Sequence, residues 1–321
     1  MNRLVILAPN WLGDAVMALP AIADVRREWP RAEISVAAKP AIAPLFHLVA
    51  GVNGVVDVEH LGAGFDTALL LPNSFRSALL VTRARVPERW GYRTEWRAPL
   101  LTRAIEPVRG LHQAEYYQRL VYALGIDNGA IDPRLAVPQS ARDAGARALA
   151  EAGWDGVAPL VALAPGAAYG GAKRWPPERF AELADALASD GVQSVIIGTA
   201  ADAATERDLI HVLRSRGRTA GIVSVVGKTD IPTLAGVLVT CRTLVTNDSG
   251  VMHLAAAVGI PVTAVFGPTD EHATRPLGDG HAVIAHHVWC RPCLLRECPI
   301  DHRCMRGIAA AEVAAAARRI L

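Results

Sequence analysis

The chain has 321 residues, enough for two domains of roughly 150 residues, each with its own core. Apolar residues make up 51% of it and are spread along its whole length, which excludes a disordered protein. A formal net charge of +2, from 33 basic and 31 acidic side chains, is too small for a protein that neutralises nucleic-acid phosphates, and no run of 18 apolar residues is present to cross a bilayer.

The N-terminal residues lead straight into a strand-turn-helix pattern instead of a secretory signal, so the chain is expected to be cytoplasmic. Residues 4–8, LVILA, read as a buried parallel strand. Pro9, Asn10 and Gly13 make a turn, and a helical pattern covers 14–29 with Pro20 inside it, which predicts a kink. A strand at 34–38, a helix at 41–50 and strands at 55–58 and 68–71 follow. The stretch 83–109 is irregular, a helix covers 112–124, and an Ala-rich helix at 140–153 closes the first half. The second half repeats the design, with strands predicted at 160–164, 192–197, 223–226, 243–246 and 261–266. Helices are predicted at 178–189, 203–214, 231–239, 250–258 and 309–320. This alternation predicts an α/β protein with parallel sheets, divided into domains 1–155 and 156–321, and ligands beyond the carboxyl ends of the strands.

Six segments carry residues suited to chemistry. Asn10-Trp11-Leu12-Gly13-Asp14 falls between the first strand and first helix, where Asp14 serves equally as an N-cap or as a proton acceptor. The loop from Pro165 through Gly166, Gly170 and Gly171 to Lys173 and Arg174 offers amides and cations to phosphate, or is a solvated loop; it lacks the Gly-Lys-Ser/Thr ending of a P-loop. Thr246-Asn247-Asp248-Ser249-Gly250-Val251-Met252-His253 ends a strand and starts a helix. Its free amides suit an anion and Asp248 suits a sugar hydroxyl, with a plain cap and a core histidine as the alternative. Phe266-Gly267-Pro268-Thr269-Asp270 ends the next strand on the same edge.

Cys290, Cys293, Cys298 and Cys304 have a spacing that suits a structural zinc knuckle or buried free thiols, outside catalysis in either case. Residues 83–109 hold seven arginines (83, 85, 89, 93, 97, 103 and 109) against glutamates 88, 95 and 106, with Trp90 and Trp96 among them. That set suits an anionic, sugar-bearing or lipid surface, or an ordinary charged face.

Taken together, APNWLGDAVMALP at 8–20, LAPGAAYGGAKRWPPERFAELA at 163–184, VTNDSGVMHLAAAVGIPVTAVFGPT at 245–269 and WCRPCLLRECPIDHRCM at 289–305 resemble the bacterial lipopolysaccharide heptosyltransferases of glycosyltransferase family 9, above all the heptosyltransferase II type. The resemblance covers nearly the whole chain. It implies a GT-B fold, two Rossmann-like domains facing across a cleft, with an N-terminal acceptor domain and a C-terminal nucleotide-sugar domain. It implies an inverting transfer of heptose from ADP-heptose to the first heptose of a lipid A–Kdo–heptose acceptor, with no metal or other cofactor in catalysis, by an enzyme peripheral to the inner membrane. Asp14 is then the general base, and Lys173 the lysine at the donor diphosphate. Gly166, Arg174, Asp248, Ser249, Gly250, Val251 and His253 are expected at the donor and Asn10, Trp11 and Gly13 at the acceptor; from the basic excess of 83–109, apart from the resemblance, Arg89, Arg93 and Arg97 are expected to border the acceptor as well. A heptosyltransferase I, a related sugar transferase or a non-catalytic lipopolysaccharide-binding scaffold stand as alternatives. An epimerase of the dinucleotide-binding kind is disfavoured because Gly-x-Gly-x-x-Gly is absent.

Overall fold

The structure, a computed structural model, describes residues 2–217 and 221–321, which form two compact units, 1–136 and 137–321. In the first unit β1 (Arg3–Leu7), β2 (Glu33–Ala38), β3 (Gly54–Asp57), β4 (Thr67–Leu70), β5 (Glu88–Tyr92) and β6 (Arg103–Ile105) form a parallel sheet in the order β3-β2-β1-β4-β5-β6. The helices are α1 (Leu12–Met17), α2 (Leu19–Glu28), α3 (Ala43–Phe46), α4 (Phe75–Arg83) and α5 (Gln113–Ala123). The central strands are covered on both faces, which is why β1 reads as an unbroken apolar run.

In the second unit the sheet order is β12-β11-β10-β7-β8-β9, built from β7 (Leu160–Ala164), β8 (Gln193–Ile196), β9 (Ile222–Ser224), β10 (Thr243–Asn247), β11 (Val262–Phe266) and β12 (Ala282–Ala285). Its helices are α6 (Gln139–Glu151), α7 (Pro177–Ser189), α8 (Ala203–Ser215), α9 (Ile231–Thr240), α10 (Gly250–Ala257), α11 (Glu271–Thr274), α12 (Arg303–Arg306) and α13 (Ala310–Arg318). Counted from its own first strand, this sheet has the same order as the first, and both are Rossmann-like. In each, the order reverses beside the first strand, between β1 and β4 and between β7 and β10. The two parallel α/β units expected from the strand-helix alternation are therefore present.

Several expectations are corrected. The helix at 140–153, assigned to a first domain ending at 155, is α6 and belongs to the second unit, which starts at Val137. It packs against α9 through glycines: a Cβ at Gly145 would come within 2.3 Å of the Gly236 backbone, and one at Gly236 within 1.9 Å of Ala141 O. Only bare backbones allow so close an approach. The helix expected at 41–50 is the single turn α3, with Pro44 at its start. The irregular stretch 83–109 contains β5 and β6. The kink at Pro20 is present as a break at Ala18, with Pro20 in the first turn of α2, where its missing N–H costs nothing.

Candidate active site

Because β7, β10 and β11 are adjacent and parallel, the loops after them share one edge of the second sheet, at its topological switch point. Asn247, buried at the end of β10, joins two of these loops. Its Nδ2 donates to Pro165 O at 2.8 Å and Gly166 O at 3.3 Å, and its Oδ1 accepts from Trp175 N at 3.0 Å. Trp175 is locked below by Ile308 O, to which its indole N–H donates at 3.1 Å, and by an edge-on contact with Phe180. The glycine loop thus begins and ends on fixed points.

Lys173 lies between those points. Its Nζ is 2.5 Å from Asp248 Oδ2, with side-chain exposures of 13% and 6%, and the Thr269 hydroxyl donates to the same oxygen at 2.7 Å. Nζ also stands 4.9 Å from the centroid of the Tyr169 ring. Lys173, expected at phosphate, and Asp248, expected at a sugar hydroxyl, thus form an ion pair with each other. An ammonium has three N–H donors, so Asp248 leaves two of them for another acceptor.

Ser249 is the N-cap of α10 but makes no side-chain cap bond; its hydroxyl instead meets Thr246 Oγ1 at 3.1 Å. Ser249 therefore gives the first amides of α10, at Gly250 and Val251 and at the positive end of the helix dipole, no side-chain cap, and none is seen among the described residues. His253 is buried in α10 with Met252 and Leu254. Gly166 is required by space, since a Cβ there would come within 2.2 Å of Asp202 Oδ1. Arg174 is exposed beside Lys173.

In the first unit, Asn10 and Trp11 are exposed at the end of β1, Trp11 at 55%. Trp11, not Asp14, is the N-cap of α1, and Gly13 is buried within that helix. Asp14 is a half-buried third helical residue, which removes the capping alternative. Its charge reaches the Tyr117 phenol on α5. Burial first, and then Asp14, hold that phenol well above its usual value.

The arginine-rich stretch behaves differently from the expectation of an acceptor face. Arg97 is fully buried, and its guanidinium donates to Tyr92 O at 2.8 Å, Ser77 Oγ at 2.9 Å, Ser74 O at 3.3 Å and also to Pro72 O. Burial pushes it down to about 10. With no exposed surface, Arg97 ties the ends of β4 and β5 together and is not presented to an acceptor in this structure, and its Nη2 is buried without a hydrogen-bond partner among the described residues. Arg89 is half-buried and donates to Leu100 O, Val86 O and Pro87 O. Arg93 is exposed and pairs with Glu106 at 3.0 Å. Trp90 is buried against Trp29, whereas Trp96 is 94% exposed.

The four cysteines line one small cavity together with Ala172 and Pro268. Cys304 is buried and Cys293 exposed, and among the described residues no three His, Cys, Asp or Glu side chains stand in a metal-ligating arrangement. Among the described residues the zinc knuckle suggested by the spacing is thus not laid out as a ligand set, and the four thiols share the wall of one cavity. Tyr169, Asn247 and Thr269 were not singled out from the sequence, although each lies inside a segment that was.

Glycosyltransferase family 9 (heptosyltransferase) matches residues 58–303. Lipopolysaccharide heptosyltransferase 2 of Salmonella typhimurium is 32% identical over 306 residues, 88% of this chain and 87% of the relative. The chain belongs to glycosyltransferase family 9. Lipopolysaccharide heptosyltransferase 2 of Escherichia coli is 31% identical over 309 residues, again 88% of this chain and 87% of the relative. The solved structure of the Escherichia coli ADP-heptose lps heptosyltransferase II superimposes with a TM-score of 0.83 at 28% identity, covering 100% of this chain and 98% of that one. As in other members of the family, then, two Rossmann-like units make a glycosyltransferase of the GT-B class, and the two switch points described above are where its substrates are to be sought.

Proposed function

We propose that this enzyme adds the second heptose of the lipopolysaccharide inner core. It moves L-glycero-D-manno-heptose from ADP-heptose to the first heptose of a lipid A–Kdo–heptose acceptor at the cytoplasmic surface of the inner membrane. The observation that carries the reading is the Lys173 ammonium at the switch point of the second sheet, beside the uncapped start of α10, in a chain of this family. No helix among the described residues is long and apolar enough to cross a membrane, and in this reading the enzyme meets its lipid acceptor at the surface.

The transfer is a single displacement. The Asp14 carboxylate takes the proton of an acceptor hydroxyl as that oxygen attacks C1 of the donor heptose. The bond from C1 to the β-phosphate oxygen breaks, its electron pair leaves with ADP, and the anomeric carbon is inverted. Lys173, with two N–H groups free of Asp248, and the Gly250 and Val251 amides meet the charge that develops on the phosphate. Arg174 adds a second cation at the rim, Gly166 admits the donor close to the backbone, and Ser249 and Asp248 hold hydroxyls. His253 supports this surface from within α10. Asn10, Trp11 and the backbone at Gly13 border the acceptor, with Arg93 farther out. The displacement needs no metal, because base and leaving-group stabiliser are both side chains of the protein.

The test is ADP release with acceptors carrying no heptose or one heptose. Release only with the one-heptose acceptor is expected. Release only with the heptose-free acceptor would make the enzyme a first heptosyltransferase, and acceptor binding without ADP release would make it a scaffold.

A further inference from the structure

The segment 289–304 is fastened to both loops that flank Lys173. On one side, Arg296 O accepts from Ala172 N at 2.9 Å and Glu297 Oε1 accepts from Gly171 N at 3.0 Å. At Gly170 the contact is close enough to dictate sequence, since a Cβ there would come within 2.4 Å of Arg296 O; one on Gly171 would come within 2.7 Å of Glu297 Oε2, a side-chain tip that can move. The Tyr169 hydroxyl donates to Leu294 O at 2.8 Å, and the Tyr169 ring lies between Lys173 Nζ and the Arg296 guanidinium, the latter at 5.3 Å. On the other side, Leu294 N donates to Pro268 O at 2.9 Å. Arg291 donates to Gly267 O at 2.6 Å, to Thr269 O at 2.9 Å and to Glu271 Oε2 at 2.6 Å. Gly267 in turn has no room for a Cβ, which would meet Met305 Sδ at 2.3 Å.

Apart from Cys304, which joins the core of the second unit, and the buried Arg291 side chain, the segment adds little to that core. Leu294, Leu295 and Ile300 are exposed, as are Arg296 and Glu297. What the segment does reach is the main chain of residues 169–172 and 267–269, the two stretches that carry Lys173 and the Thr269 that shares Asp248 with it. We infer that the cysteine-rich segment is a strap that positions the donor lysine, with Glu297 and Tyr169 as its positioning residues: Glu297 fixes the loop backbone and Tyr169 carries the fixation to the ammonium. A lysine on a glycine-rich loop has many rotamers and a mobile backbone to lose when it meets a diphosphate; the strap orders both before the donor arrives. The four thiols form the wall between strap and loop, so they belong to the same device.

The inference rests on the reading that Lys173 meets the donor diphosphate. Calorimetric titration with ADP and steady-state kinetics with ADP-heptose test both, on the full chain. Glu297→Ala removes an exposed side chain, so the fold should persist, yet affinity for ADP is expected to fall and the donor KM to rise, each about tenfold, with acceptor KM unchanged. Glu297→Gln keeps an oxygen to accept from Gly171 N and should restore most of the affinity. Tyr169→Phe, which loses only the bond to Leu294 O, should weaken ADP binding less than Tyr169→Ala. Normal ADP affinity and donor KM in Glu297→Ala and Tyr169→Ala, with Lys173→Ala impaired, would overturn the strap and leave the donor reading standing. Normal ADP affinity in Lys173→Ala would overturn both. A loss in Glu297→Ala that Gln does not recover would also count against the strap.

Discussion

Two cations stand at corresponding edges of the two sheets, and their surroundings differ in kind. Arg97 joins the ends of β4 and β5 by donating to main-chain carbonyls and a serine hydroxyl, with no carboxylate in contact and no exposed surface. Lys173 sits on a carboxylate, keeps part of its surface open and has donors to spare. A rigid guanidinium fork whose Nε and Nη1 are taken up by the protein's own carbonyls and a serine hydroxyl holds the chain together, although its Nη2 is buried without a hydrogen-bond partner among the described residues. An ammonium held by one carboxylate is kept in place while still available. The same contrast extends to the segments around them: the arginine-rich stretch is mostly absorbed into a sheet edge, and the cysteine-rich stretch is mostly exposed but fastened to the loops of the site.

The sharpest way to test which residues act on substrate is Asp14. Because Trp11 and not Asp14 caps α1, Asp14→Asn removes no cap, and the melting temperature should stay close to wild type. Turnover should nonetheless fall by ~10²–10⁴ with ADP affinity intact. Near-normal turnover would remove Asp14 from the role of base. A loss of stability matching the loss of activity would return it to a structural one.

Arg97→Ala should produce the opposite profile. It removes the guanidinium donors from the Tyr92, Pro72 and Ser74 carbonyls, which keep other donors, and opens a cavity, and should cost about 3 kcal/mol. A lower denaturation midpoint with unchanged donor affinity is expected. A stable variant with a raised acceptor KM would break the comparison and put Arg97 back at the acceptor.

Lys173→Ala should weaken ADP binding at least about tenfold, and more than it weakens acceptor binding, since it removes the cation and leaves the Asp248 charge facing the phosphates. Equal losses for donor and acceptor would show that the pair serves the fold and not the donor.

Alkaline pH gives a fourth, smaller test. Burial raises the Tyr117 phenol well above 10.0, its usual value. The unfolded chain therefore loses this proton first as pH rises. The stabilisation is full below pH 10 and declines above it, by up to about 1.4 kcal/mol per pH unit for one group. Melting temperatures followed upward from pH 9 should fall, and less steeply in Tyr117→Phe. Equal slopes in the two proteins would mean that other groups dominate.

Much of the second unit's site was legible because it is contiguous: Thr246 to His253 announces a strand end, a polar turn and a helix start in eight letters, and the structure builds them in that order. The partners of Lys173 were harder to find. Tyr169 meets Leu294 across 125 positions and Gly171 meets Glu297 across 126, and neither pairing leaves a periodic trace. The glycines at 170 and 171 were visible, but they suggested mobility, whereas Gly170 is there because its φ is positive and the strap backbone leaves no space for a Cβ. The arginine-rich stretch misled for a related reason. Composition reports charge without burial, and a strand written Glu-Arg-Trp-Gly-Tyr hides its inward face behind two charged residues. The cysteine spacing did bring four thiols to one small cavity, but spacing alone does not say whether they are laid out as metal ligands.

What remains of the acceptor face is Trp96 and Arg93, and they set the smallest expected effect. Glu95 and Trp96 both have left-handed backbones, with φ of 46° and 61°. Such residues cost of order 1–3 kcal/mol each outside glycine and persist only when their surroundings hold them. Here the Glu95 carboxylate accepts from Phe75 N, at the start of α4, at 3.2 Å, and the Thr94 hydroxyl donates to Asn73 O at 2.7 Å. The turn is thus pinned at its base while its tip carries an indole almost wholly in solvent. A strained turn that displays a tryptophan suits an interfacial contact, and Arg93 nearby adds a charge only partly countered by Glu106. Attraction of a basic residue to an anionic lipid surface amounts to roughly 1 kcal/mol, about fivefold in affinity, and fades within a Debye length. Trp96→Ala and Arg93→Ser should each weaken binding to vesicles containing anionic lipid by a few-fold and raise the acceptor KM similarly. ADP affinity should be untouched, and the wild-type preference for anionic vesicles should shrink with added salt. If both variants bind vesicles and acceptor as the wild type does, the stretch 83–109 is a sheet edge and nothing more, and the acceptor is held by the residues around Asn10 and Trp11.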